Sequence, residues 1–168
     1  MSKNYWPCRF TLNGNRRYFL WFQGTRDGIV LDRARKVQTF PSKRALMLFA
    51  QKNHLKIDKT MLCSYDFDRL SKWLKSPSGK SIDPNIFLDF WNLFNDLAHS
   101  VKVAFNPSRK KTYKVYEKLF YGCNLPAIRR GRPKYHPIWL SSEVEQISQV
   151  LGSGVRLFKE CLPLRLAP

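Results

Sequence analysis

Four residues in this 168-residue chain have types and spacing suited to chemistry: Asp89, Asn92, Asp96 and His99, three or four positions apart. On a helix that spacing places them on one face. Two carboxylates, an amide and an imidazole on one face suit a metal ion or acid–base work. The same residues also form the polar stripe opposite an aromatic core face, hydrogen-bonded where they are buried. That structural role is the expected one. Nucleophilic catalysis needs a Ser, Cys or Thr beside a base, and the available imidazoles, His54, His99 and His136, sit in no recognisable motif. No G-x-G-x-x-G, Walker loop, H-E-x-x-H or EF-hand pattern occurs, so nucleotide, cofactor and metal chemistry have no foothold in the sequence. A non-enzymatic protein that carries no cofactor is expected.

Binding offers a stronger signal. The chain holds 30 Lys+Arg against 12 Asp+Glu, a formal net charge of +18. Residues 1–59 carry 13 basic and 3 acidic side chains, and residues 106–139 carry 9 and 1, so these two regions account for the whole excess. The remaining stretches, 60–105 and 140–168, are each neutral. Such an excess repels itself on a folded surface unless an anionic partner relieves it. Candidate contacts in the first region are Arg16, Arg17, Arg26, Arg33, Arg35 and Lys36. In the second they are Arg109, Lys110, Lys111, Lys114, Arg129, Arg130, Arg132 and Lys134, with Tyr135 beside them. Arginine dominates the turns, and its rigid fork pairs with phosphate or carboxylate in a bidentate manner.

Arg129-Arg130-Gly131-Arg132-Pro133-Lys134 has the form of an AT-hook. In such a module glycine lets the backbone approach the floor of a narrow A·T-rich minor groove while the flanking arginines enter its negative potential. Nucleic acid is therefore an alternative partner to an acidic protein.

The elements that position these residues follow from turn chemistry and periodicity. Residues 8–40 read as an antiparallel β-meander, with strands Cys8–Leu12, Arg16–Gln23, Ile29–Ala34 and Val37–Phe40. The second strand, through Tyr18-Phe19-Leu20-Trp21-Phe22, is apolar on both faces and so central, covered on each side. Ser42 opens a helix to about Asn53, and Met61–Tyr65 forms a short strand. Asp66 caps a helix through Leu74, and Asp83-Pro84 starts the longest one, to about Phe105. Thr112–Tyr121 ends at Gly122, in the left-handed cap conformation. A proline-rich loop follows, and the last helix begins at Ser142, boxed by Glu145, and runs to about Cys161.

At 43% hydrophobic residues the chain can bury a core. An α+β single domain is expected over residues 1–168: meander and first helix in 1–60, then a mostly helical part in 61–168 with a basic loop at 122–140. Met1–Pro7 lacks the apolar core of a secretory signal, and no apolar run approaches the ~18 residues of a membrane span. A cytoplasmic protein without membrane contact is expected. Cys8, Cys63, Cys123 and Cys161 form no C-x-x-C pair and read as buried structural thiols in a reducing compartment.

Several phrases carry a resemblance over most of the chain. They are Phe19-Leu20-Trp21-Phe22, Phe40-Pro41-Ser42, Tyr65-Asp66-Phe67-Asp68 leading to Trp73-Leu74, and Trp91-Asn92-Leu93-Phe94-Asn95-Asp96. Later come Lys118 to Pro126, Tyr135-His136-Pro137-Ile138-Trp139 and Gly154 to Phe158. Together they resemble the small bacterial immunity proteins of contact-dependent and polymorphic toxin systems. The resemblance implies a non-enzymatic protein that binds a cognate toxin domain and occludes its active or substrate-binding surface. With this charge, it implies an acidic surface on that toxin domain. Aromatic anchors for such an interface are Trp6, Tyr18, Trp21, Tyr113 and Tyr135.

Overall fold

A computed structural model of the chain describes residues 3–58, 60, 62–105 and 109–163. Met61, the expected start of a strand, and the side chain of Arg109 lie outside the described residues. The fold is α+β, with a four-stranded sheet built mainly from the N-terminal strands and helices making up most of the remainder.

Strands β1 (Asn4–Leu12) and β2 (Asn15–Gln23) form a hairpin in which Leu12 faces Asn15. Its turn, Asn13-Gly14, has φ of 52° and 71°, the double left-handed geometry that matches strand twist. The expected third and fourth strands are largely irregular. They reduce to β3 (Gly28–Ile29) and to isolated bridges, Leu31 to Val37 and Phe40 to Tyr18. The other edge is β4 (Cys63–Asp66), which pairs parallel with β1, so the order is β3-β2-β1-β4 and the sheet is mixed. Pro7, which has no N–H to donate, occupies the gap on that side of β1 between the Tyr5–Ile57 bridge and the Cys8–Cys63 pair.

The twice-apolar strand is covered on both sides. Phe19 and Trp21 of β2 face the main core, while Leu20 packs with Phe40 and Leu46 under the first helix. That helix, α1 (Lys43–Lys52), is capped by Ser42, whose hydroxyl accepts from the Ala45 amide at 3.1 Å. Asp66 caps α2 (Phe67–Lys75) and Asp83 caps α3 (Pro84–Val101). The latter ends at Val101, four residues before the expected Phe105, and is capped by Lys102 in the left-handed region with φ of 61°. Phe105 instead turns back toward the Phe94 ring.

Helix α4 spans Arg109–Gly122, α5 is the single turn Pro126–Arg129, and α6 runs Ser141–Glu160. Gly122 is not the left-handed residue after α4; Asn124 is, with φ of 53°. Gly122 is needed for space, because a Cβ there would come within 2.8 Å of Pro84 and 3.1 Å of Pro137. The cap of α6 also differs from expectation: Glu143, not Glu145, folds back to accept the Leu140 amide at 2.8 Å. Deeper in α6, a Cβ on Gly154 would lie 1.9 Å from the Phe94 ring, so this glycine sets how closely α3 and α6 pack. Phe158 of α6 stacks on Phe67 at 4.3 Å and meets Phe10 edge-on at 5.2 Å, which joins helices and sheet in one aromatic core.

Candidate functional site

The acid–base constellation does not converge. The Asn92 side-chain oxygen accepts from the Tyr116 hydroxyl of α4 at 3.0 Å. The Asp96 carboxylate instead accepts from the Trp21 indole of the sheet at 2.7 Å, and His99 Nδ1 lies 3.1 Å from the Asp27 carbonyl. Burial pushes the Asp96 carboxyl up to about 6 against the opposing pull of the indole bond. Asp89 stands at the rim of a cleft of about 720 Å³ between β4, α2 and α3, its pKa raised first by desolvation and then by Asp83. Asn92, Asp96 and His99 thus each serve a different neighbour, and Asp89 faces the cleft. Among the described residues no group of three or more His, Cys, Asp or Glu is placed to hold a metal ion.

The acidic residues explain why the surface charge stays uncompensated. Six aspartates accept backbone amides: Asp27 from Gly24, Asp32 from Lys36, Asp58 from Thr60, Asp66 from Arg69, Asp68 from Asn13 and Gly14, and Asp83 from Asn85. Asp96 takes the Trp21 indole. Carboxylates occupied by turns and helix starts are not placed to pair with lysine and arginine. Among the described residues one ion pair forms, Lys118 to Glu143 at 2.7 Å.

The two basic regions meet different fates. Arg16 is exposed and Arg17 half-buried beside the hairpin turn, whose Asn13 and Gly14 amides are held by Asp68. Arg26 and Arg33 are exposed. In the 32–36 turn, Arg35 reaches the Ser100 carbonyl at 3.3 Å and Lys36 the Glu160 carbonyl at 2.5 Å. Those carbonyls close the C-terminal ends of α3 and α6, where a cation offsets unpaired C=O groups and the helix dipole. Arg35 and Lys36 are thereby engaged within the molecule.

The second region forms a groove of about 600 Å³ between α4, α5, the following loop and the start of α6. Lys114, Lys118, Arg129 and Arg132 line it with Glu117 and Glu143, four cations against two anions. Its apolar lining comes from Tyr121, Leu125, Ile128 and Tyr135, each of them 42–51% exposed. Arg129 Nε is buried and finds no hydrogen-bond partner among the described residues, an expensive state that an incoming acceptor would relieve. Asn124 ties the loop in place: its oxygen accepts the Tyr135 amide at 2.7 Å and its nitrogen donates to the Tyr135 carbonyl at 2.9 Å. Lys134 is exposed at the groove's edge, and Tyr113 is 55% exposed on α4.

Of the five aromatic anchors, Tyr113 and Tyr135 are exposed. Trp6 and Trp21 pack against each other at 5.1 Å, and Tyr18 joins the smaller core. Tyr121, Asn124 and Leu125 fall in the Lys118 to Pro126 phrase but, like Ile128, carry no contact signal of their own in the charge pattern. The signal available for them was Leu125 and Ile128, three apart on either side of Pro126.

The AT-hook-like segment is folded into a turn. Arg130 and Gly131 have φ of 48° and 80°, and the Arg132 amide donates back to the Arg129 carbonyl at 3.0 Å. Entry into a minor groove requires that segment extended along the floor. No helix among the described residues is long and apolar enough to cross a membrane. Compared with known proteins, the chain matches no family model, no curated protein and no solved structure.

Proposed function

We propose that this chain is a cytoplasmic, non-enzymatic immunity protein that neutralises a cognate toxin domain by binding an acidic surface of it. The contact is the groove of α4, α5 and residues 130–135. One observation carries this reading: four cations and four exposed apolar side chains converge there while seven of the chain's aspartates are engaged elsewhere. Exposed apolar and tyrosine side chains ringed by arginine are the composition of binding hot spots. Cations around them steer an acidic partner and raise the association rate.

The test is co-expression with the product of an adjacent toxin-domain gene. A stable complex that protects the cell is expected, and its absence together with loss of protection would overturn the proposal. A parallel mobility-shift titration with A·T-rich duplex at ~50 mM salt separates the nucleic-acid alternative. Duplex binding with a steep salt slope, about −0.9 per phosphate neutralised, and no protein complex would replace the proposal with that alternative.

A further inference from the structure

The sheet brings together two thiols that the partner-binding reading does not use. Cys8 on β1 and Cys63 on β4 are in-register partners of a parallel pair, so their side chains leave the same face of the sheet. Neighbouring strands run about 4.8 Å apart, inside the Cα separation of about 4.4–6.8 Å that a disulfide spans. Both cysteines are free thiols, with Cys8 fully buried and Cys63 half-buried on the sheet's edge strand. The neighbouring Cys63 thiol and burial hold Cys8 well above the usual thiol range, while the Cys8 thiol beside it pulls Cys63 down. The accessible member of the pair is therefore the one that ionises, and the buried member stays protonated behind it.

We propose that Cys63 and Cys8 form a peroxide-reactive pair, in which Cys63 is the attacking thiolate, Cys8 is the resolving thiol, and the product is a disulfide joining β4 to β1. The Cys63 sulfur attacks one oxygen of hydrogen peroxide, the O–O bond breaks and hydroxide leaves, taking up the proton that Cys63 released. Cys63 becomes a sulfenic acid. The Cys8 sulfur then attacks the Cys63 sulfur, the S–O bond breaks and water leaves with the Cys8 proton. Two thiols are oxidised by two electrons, and one peroxide is reduced to two waters.

Cys123 and Cys161 serve as internal controls. Burial raises both, with Asp89 and Asp83 adding to the effect at Cys123, which reaches about 11. Neither has the thiolate character that peroxide attack requires.

The experiment treats the folded, full-length protein with equimolar hydrogen peroxide, alkylates the remaining thiols under denaturing conditions and maps the peptides by mass spectrometry. The alkylatable count is expected to fall from four to two, with a Cys8–Cys63 cross-linked peptide two hydrogens lighter than the separate peptides. In the Cys8→Ser variant, Cys63 is expected to stop at sulfenic acid, captured by dimedone. Four surviving thiols, or a cross-link through Cys123 or Cys161, would overturn the pair. So would Cys63 that passes to sulfinic acid in the unmutated protein without forming the cross-link. The wild-type peptide map decides the matter even where the serine variant does not fold.

Discussion

The turn at residues 32–36 and the groove at residues 124–135 are both rich in arginine and lysine, yet they sit at opposite ends of the α3–α6 pair. The first meets the C-terminal carbonyls of both helices through Arg35 and Lys36. The second lies by their N-terminal ends, where Gly122 abuts Pro84 and Lys118 pairs with Glu143. With 18 residues in α3 at about 1.5 Å each, roughly 27 Å separates them. Equal charge at the two ends thus has different uses. Cations at a helix C-terminus complete the fold, whereas cations beside helix N-termini gain nothing from the dipole, and apart from Lys118, paired with Glu143, those of the groove stay available to a partner.

The largest effect expected to break this contrast is at the groove. The double charge reversal Arg129→Glu/Arg132→Glu should weaken the complex with the toxin domain about 100-fold or more, since close charge pairs across an interface couple by about 1.5–7 kcal/mol. Tm should move by less than about 3 °C, because Arg129 and Arg132 make no ion pair among the described residues. Calorimetric titration alongside thermal melting measures both. Equal weakening by a reversal at Arg35 and Lys36 would erase the distinction between the two ends.

Next in size is Asn124→Ala, which leaves the Tyr135 amide and the Gly122 carbonyl without their partner. A cost of about 2 kcal/mol is expected, with the groove loop loosened. Trypsin cleavage after Arg129, Arg130 and Lys134 should accelerate, as limited proteolysis under native conditions would reveal. An unchanged cleavage rate would mean that the loop is held by contacts other than Asn124.

Lys36→Met keeps the aliphatic stem and removes the charge from the Glu160 carbonyl. It should lower stability by about 1 kcal/mol, a Tm shift of about 2–4 °C, and leave the partner's affinity unchanged. A loss of affinity without a loss of stability would reverse the assignment of this end.

This contrast between the ends was only partly legible in the sequence. Local signals read correctly: Ser42, Asp66 and Asp83 at helix starts, and the two-faced apolar strand as central. Each depends on residues within a few positions of one another. The charge blocks were also legible as counts. Their division into engaged and available cations was not, because Lys36 meets a carbonyl 124 residues away. The groove was hidden for the same reason. Tyr121, Leu125, Tyr135 and Glu143 come from four consecutive segments and meet where Gly122 lets α4 close on Pro84. The parallel pairing of β4 with β1, which aligns Cys8 with Cys63, likewise has no local signature.

The smallest expected effect sharpens the engaged end. Asp96 sits in the last turns of α3, where its carbonyl accepts the Ser100 hydroxyl and its carboxylate accepts the Trp21 indole. Burial raises its carboxyl to about 6, above the ordinary value of about 3.9. The folded state therefore holds the proton more tightly than the unfolded chain between those values, and stability from this residue falls as pH rises from about 4 to 6. Above that window the ionised carboxylate carries its full desolvation cost, of order 1 kcal/mol once solvent screening at a half-buried site is allowed for. Asp96→Asn retains an acceptor for the indole and removes the charge. The variant should be more stable than the parent by about that amount at pH 7 and indistinguishable from it near pH 4, a difference that urea titrations at the two pH values would resolve. A variant less stable at pH 7 would show that the charge itself, and not its shape as an acceptor, is what the Trp21 indole and this end of α3 require.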